Sequence, residues 1–173
     1  MIKRVVIDNQ VVLLDQADFD ALPASSALAI NSDGYPVIRG VSSEFRVKVV
    51  VNLHKFVLAC PKGMVVDHID GNKLNNTKAN LRVCTYQQNS WNRAKVSKAW
   101  NGKPPSSKFK GVLMNKARGK WEARAEIPNQ FYTSGRNKVK FLGYFKDELE
   151  AAKAVNNYVA EVRGEFGRLN NVA

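Results

Sequence analysis

The chain has 173 residues, 45% of them hydrophobic, which suits one ordinary folded domain or two small ones and excludes a disordered tail. Its net charge of +12 predicts a polyanionic partner, and no apolar run approaches the roughly eighteen residues of a membrane span. The N-terminus MIKRVVIDNQVV lacks the apolar core and cleavage site of a signal peptide, so the expected location is inside a host cell, in the cytoplasm, rather than secreted.

Residues 2–14 alternate and turn at Asp8-Asn9, which predicts a β-hairpin, and residues 15–22 add a short helix. NSDGYPVIRG then gives a turn and a strand, and FRVKVVV a further strand with Arg46 and Lys48 opposite Val47 and Val49. LHKFVLAC reads as a short helix ended by Pro61. Val65 to Ile69 is a strand, DGNKLNN a turn-rich loop and LRVCT a returning strand. Thr85 with Gln88 forms a capping box that starts a helix near Tyr86, with Asn89 in its first turn.

Residues 96–107, VSKAWNGKPPSS, have the Gly, Pro and Ser content of a linker between a domain over 1–95 and another over 108–173. In the second domain KFKGVLMNKARGKWEARAEI holds two strands joined near Ala117–Gly119, and KVKFLGYF makes a third. Asp147 and Glu150 cap a helix whose inner face is traced by Leu149, Ala152, Val155, Val159 and Val162 and which Gly164 ends. The fold class is therefore α+β, with a small three-stranded antiparallel sheet packed on one helix at the C-terminal end. Trp121, Leu142, Phe145 and Tyr158 are expected in its core.

Between Arg93 and Lys146 stand fourteen Lys and Arg but only two acidic residues, Glu122 and Glu126. Trp91, Trp100, Trp121, Phe109 and Phe131 are interleaved with them, a pattern that favours nucleic acid over a solvated surface, and no long amphipathic helix favours a membrane surface. Cys60 and Cys84 are too few for a disulfide framework. With His54 and His68 they lack zinc-ligand spacing, so a structural zinc is not expected.

The segment VVDHIDGNKLNNTKANLRVCTYQQN carries the chemistry. A carboxylate, an imidazole and several amide oxygens around one turn could build a metal-assisted phosphodiesterase site, although Asp67 and His68 taken alone read rather as a surface acid and a solvated ring. Neighbouring strand residues point to opposite faces, so the pair must lie at the strand's end. Asn72, Asn75 and Asn76 shape the loop with Gly71, and turn formation explains Asp70. Arg82 could reach a phosphate or sit exposed on its strand, and His54 packs beneath the site.

From Leu53 to Asn92, through DHIDGNKLNN, NLR and the later Asn89, the chain resembles the HNH endonucleases of phage and homing systems, in the variant that ends in asparagine. The resemblance implies a ββα-metal domain within residues 53–95, with Asp67 and Asn89 as metal ligands, His68 as general base and Asn80 holding the histidine ring. It implies one divalent cation, Mg2+ or Mn2+, since the ligands are hard oxygens. No small-molecule cofactor is expected.

From Lys108 to Asn170, through KFKGV, GKWEARA, FLGYF, EAAKAVNNYVA and GEFGRLN, the chain resembles the APETALA2-type DNA-binding domain. That implies a sheet reading the major groove of double-stranded DNA, with Lys110, Lys116, Arg118, Lys120, Arg124, Lys138 and Lys140 as candidate contacts. The plant pattern has arginines where Leu113 and Asn115 stand, so its target sequence does not carry over. The combined reading is a DNA endonuclease acting as a monomer or weak dimer on DNA. Its rivals are an RNA nuclease and a non-catalytic DNA-binding regulator.

Overall fold

The computed structural model describes residues 1–41, 48–95, 104–128 and 138–172. Arg46, Val47, Trp100, Phe131 and most of the expected linker lie outside the described residues. The chain divides into two compact units, residues 1–89 and 90–173, so the division falls upstream of the Pro-, Gly- and Ser-rich stretch.

In the first unit β1 (Ile2–Ile7) and β2 (Gln10–Asp15) pair antiparallel with Ile7 opposite Gln10. Asp8 and Asn9 turn between them at φ +48° and +61°, the left-handed backbone that a two-residue hairpin needs and that Asn and Asp tolerate. After α1 (Gln16–Asp20), strands β3 (Ala27–Ile30), β4 (Pro36–Val41) and β5 (Lys48–Asn52) form an antiparallel sheet in that order. The β3–β4 turn is tied by Asn31, whose Oδ1 accepts from the backbone N of Asp33 (3.0 Å) and Tyr35 (2.9 Å).

The short helix α2 (Leu53–Val57) buries Leu53, His54 and Val57. Strands β6 (Val65–His68) and β7 (Leu81–Cys84) pair antiparallel, and α3 (Tyr86–Trp91) follows. The capping box forms in both directions: Gln88 N donates to Thr85 Oγ1 (3.2 Å), and Thr85 N donates to Gln88 Oε1 (2.9 Å). The apolar sides of these elements close one core built on Ile7, Val12, Leu14, Ile38, Leu53, Val57, Val66 and Leu81.

In the second unit β8 (Val112–Asn115), β9 (Lys120–Glu126) and β10 (Val139–Phe145) form an antiparallel sheet with β9 in the middle. Helix α4 (Glu148–Arg163) packs on one face. Asp147 caps it, Oδ1 accepting from the backbone N of Leu149 (2.7 Å) and Glu150 (3.0 Å). The buried stripe of α4 is Ala151, Ala152, Val155 and Val159, whereas Leu149 is 40% exposed. The expected inner face is thus corrected at Leu149, which the helical period places beside the stripe. Trp121, Leu142 and Phe145 pack on this core, with Phe109 and Val112 buried in it.

The segment after Asn89 belongs with this second core for physical reasons. Trp91 is 7% exposed and lies beneath the Arg163 guanidinium, 5.3 Å from its ring centroid. Lys95 Nζ donates to the carbonyls of Phe109 and Val112, and Lys110 Nζ to those of Trp91 (3.0 Å) and Arg93 (2.8 Å). Among the described residues no helix is long and apolar enough to cross a membrane.

Candidate functional site

The site is assembled where β6 ends. Asp67 and His68 are its last two residues, each 6% exposed, and the chain turns immediately afterwards at Gly71 (φ +76°) with Gly71 N donating to His68 O (2.9 Å). The two side chains take different partners, Arg82 for Asp67 and Asn76 for His68.

The asparagines build the loop that holds the histidine. Asp70 Oδ1 accepts from Asn72 N (2.7 Å) and Asn80 Nδ2 (2.9 Å), and its Oδ2 from Asn75 Nδ2 (2.9 Å). Asn80 Oδ1 accepts from Asp70 N (3.1 Å), and its Nδ2 also donates to Asn75 O (2.8 Å). Burial pushes the Asp70 carboxyl up, but these hydrogen bonds and the nearby His68 outweigh it and hold the group below its ordinary value. Asp70 is therefore the hub of the loop, a larger role than a turn residue alone.

The amide at the His68 ring is that of Asn76, which is fully buried, with Oδ1 3.3 Å from Nε2. Asn76 Nδ2 donates to Lys73 O (3.1 Å), which fixes the amide so that its oxygen faces the ring. In the tautomer with Nε2 protonated, the ring donates to this oxygen and keeps its basic lone pair on Nδ1. Burial lowers the His68 pKa from its ordinary value against the opposing pull of Asn76, Asp70 and Asp67. Asn80, expected to hold the ring, forms its side-chain hydrogen bonds with Asp70 and Asn75.

Two rings pack around His68. His54 stands edge-on to His68 with centroids 5.2 Å apart, and Tyr35 lies 5.4 Å from His54 and 6.2 Å from His68. Lys73 Nζ sits 4.3 Å from the Tyr35 ring centroid and donates to Asp33 O (2.7 Å). The N-terminal hairpin braces the same loop: Leu13 N donates to Leu74 O (2.8 Å), Asn76 N to Leu13 O (2.7 Å), and Lys78 N to Asp15 Oδ2 (2.8 Å). Sequence spacing gave no signal for Tyr35 or the hairpin; only His54 had been placed beneath the site.

Asp67 faces Arg82 across the strand pair, and Arg82 Nε and Nη2 both donate to Asp67 Oδ2 (3.0 and 2.8 Å). The Arg82 side chain is 11% exposed, so the guanidinium expected to meet a phosphate is occupied by the carboxylate. Asn89 sits part-buried on α3, its backbone N donating to Thr85 O (3.0 Å). Cys84 is buried, and burial and Asp67 push its thiol pKa up to about 11. Among the described residues no three His, Cys, Asp or Glu side chains converge on a metal position. The donors of Asp67 and Asn89 are hard oxygens, and that chemistry fits Mg2+ or Mn2+.

On the second unit, the face of the sheet turned away from α4 carries Leu113, Asn115, Lys120, Glu122, Arg124 and Phe141. Glu122 is only 3% exposed and accepts from Asn115 Nδ2 (3.2 Å) and Arg124 Nε. Arg124 remains 48% exposed. Arg118 lies over the Tyr144 ring (4.9 Å), which in turn is 4.9 Å from the exposed Phe141 ring. Lys116, Lys120 and Lys138 are exposed. Two of the candidate contacts lie elsewhere. Lys110 is turned onto backbone carbonyls, and Lys140 pairs with Ala125 on the helix side, 5.0 Å from the Tyr158 ring.

A family model described as HNH endonuclease matches residues 59–91, the segment that runs through β6, the asparagine loop, β7 and α3. Uncharacterized HNH endonuclease L560 of Acanthamoeba polyphaga mimivirus is 39% identical over 74 residues, covering 39% of this chain and 36% of that protein. Protein 3.8 of Escherichia phage T7 is 32% identical over 108 residues, covering 62% of this chain and 77% of that protein. The chain thus spans about a third of L560 and most of Protein 3.8. No solved structure matches the chain. With an HNH endonuclease domain at residues 59–91 and a relative matched over most of its length, the chain belongs to the same family as Protein 3.8 of phage T7.

Proposed function

We propose that the protein is a metal-dependent DNA endonuclease, with His68 as general base and the outer sheet face of the second unit as its DNA-reading surface. The observation that supports this best is the His68 ring, buried at the end of β6 and beside the Asn76 amide within the segment that matches the HNH endonuclease model.

In this reading Nδ1 of His68 takes a proton from water as the water oxygen bonds to the phosphorus of a phosphodiester. The bond from phosphorus to the 3′ oxygen breaks and leaves a 5′ phosphate. Asn76 holds the ring and stabilises the imidazolium that forms. A divalent cation held by Asp67 and Asn89 would supply Lewis-acid stabilisation of the charge on phosphate and leaving oxygen. Lys120, Arg124, Arg118, Lys116 and Lys138 supply charge for the duplex, sorted into phosphate and base contacts.

The buried Asp67–Arg82 pair favours one alternative, a DNA-binding protein whose HNH segment no longer cuts, because the only charged ligand already has a partner. Supercoiled DNA incubated with the protein in Mg2+ and in EDTA separates the two. Nicked or linear product in Mg2+, lost in EDTA and in His68→Ala, supports the nuclease; retained DNA binding with no product in either condition supports the alternative. A parallel incubation with RNA tests the substrate class.

A further inference from the structure

The second unit contains a cavity of about 530 Å3, within the range of small-molecule sites. Val155 and Val159 of α4 and Val139 of β10 form an apolar wall, and Arg124 connects the cavity with the outer face of the sheet. Five cationic side chains also line it: Arg93, Lys110, Arg124, Arg163 and Arg168. Glu126 is the acidic side chain on its wall.

Arg163 is the deepest of the five, 7% exposed. Its Nη2 donates to Glu126 O (2.9 Å), but its Nε is buried without a hydrogen-bond partner among the described residues. An unmet donor on a buried cation is costly, and native structures supply one an acceptor. Lys110 is also withdrawn from solvent; burial lowers its pKa, and Arg163, Arg168 and Arg93 lower it further. These groups are close enough to repel one another, and a single carboxylate does not offset them.

Anchoring of the segment around Trp91 accounts for Lys110, whose Nζ meets two carbonyls there, and in part for Arg168, whose Nη1 reaches Asn92 O (3.4 Å). It leaves the Arg163 Nε donor and the exposed Arg93 unexplained. We propose that the cavity binds a phosphate group, carried by a free nucleotide or by a DNA backbone, with Arg163 at its floor and Arg93 and Arg168 at its rim. Guanidinium groups match phosphate geometry, and the valine wall suits an attached sugar or base.

The test measures binding in EDTA, so its outcome does not depend on whether the protein cuts. Full-length wild type is titrated calorimetrically with inorganic phosphate and with deoxyadenosine monophosphate, and by fluorescence anisotropy with a duplex. Each titration is repeated with Arg93→Gln/Arg168→Gln and with Lys146→Gln/Lys153→Gln, a charge-matched pair of exposed residues outside the cavity. Because both rim arginines are exposed, the variant should keep its circular dichroism spectrum, and Arg163→Lys gives a second probe at the floor. Binding of either free anion, weakened at least about tenfold by the rim variant and unchanged by the control pair, assigns a free nucleotide or phosphate as ligand. No free-anion binding, with duplex affinity falling at least about fivefold more in the rim variant than in the control pair, assigns the DNA backbone. Equal behaviour of the two variants in both titrations overturns the proposal.

Discussion

Asp67 and Arg82 oppose each other across β6 and β7, and two guanidinium nitrogens converge on a single carboxylate oxygen at 2.8 and 3.0 Å. The pair is almost fully enclosed, with 7% and 11% of the two side chains exposed. Removing one partner leaves the other charge buried, a loss of about 3–5 kcal/mol. Arg82→Met is therefore expected to lower unfolding stability in urea by about that amount. Under the nuclease reading a divalent cation would stand in for the lost positive charge, so Mg2+ should raise the melting temperature of the variant more than that of the wild type. Equal Mg2+ shifts would remove Asp67 from the metal site.

Asn76 and Asn80 can be separated by mutation. Asn76→Ala removes the acceptor at His68 Nε2 and the donor to Lys73 O, so it should cost about 1–3 kcal/mol of stability and also part of the roughly 10²- to 10⁴-fold that a general base contributes. Asn80→Ala should act mainly on stability, through Asp70 and Asn75. Single-turnover cleavage at saturating DNA, read beside urea unfolding, compares the two. A larger rate loss in Asn80→Ala would place that residue at the ring after all.

His54 provides a pH-dependent prediction. Burial, then His68 and Lys55, push its pKa down to about 4, so it stays neutral in the fold well below neutral pH. The unfolded chain protonates this ring near ~6.5, hence between about pH 6.5 and 4 the unfolded state binds more protons and stability falls as pH falls. Below about 4 both states are protonated and the contribution levels off. His54→Phe should flatten the decline, as measured by urea unfolding at pH 7.5, 6, 5 and 4. A slope identical to wild type would mean that other groups cause it.

The second unit predicts the salt dependence of DNA binding. If about five of its exposed cations meet phosphates, a slope of roughly −0.9 per contact reduces affinity about 10²- to 10³-fold between 50 and 200 mM salt. Replacing Lys116, Lys120 and Lys138 together by Gln should make that slope shallower by about 2 to 3. Arg124→Ala should instead relax preference at one base position by about 1–3 kcal/mol if it reads a base edge. An unchanged slope in the triple variant would move the DNA contacts off this sheet.

The elements set by neighbours in the chain were legible from residue order. Asp8-Asn9 accepts left-handed backbone and closes its hairpin, Thr85 and Gln88 cap α3 from three residues apart, and Asp147 caps α4. The placement of Asp67 and His68 at a strand end followed from the turn signal after them. Such features depend on contacts within about one turn of chain, where spacing and residue type are sufficient information. Tertiary packing alone brought Tyr35 and His54 against His68, set Leu13 beside the asparagine loop and turned Lys110 onto the carbonyls of Trp91 and Arg93. It also chose Asn76 over Asn80 for the His68 Nε2 hydrogen bond and gave Arg82 to Asp67, since strand register and loop closure determine which of several chemically equal side chains arrives. Residue type states what a group can do; only the closed backbone settles which partner it meets.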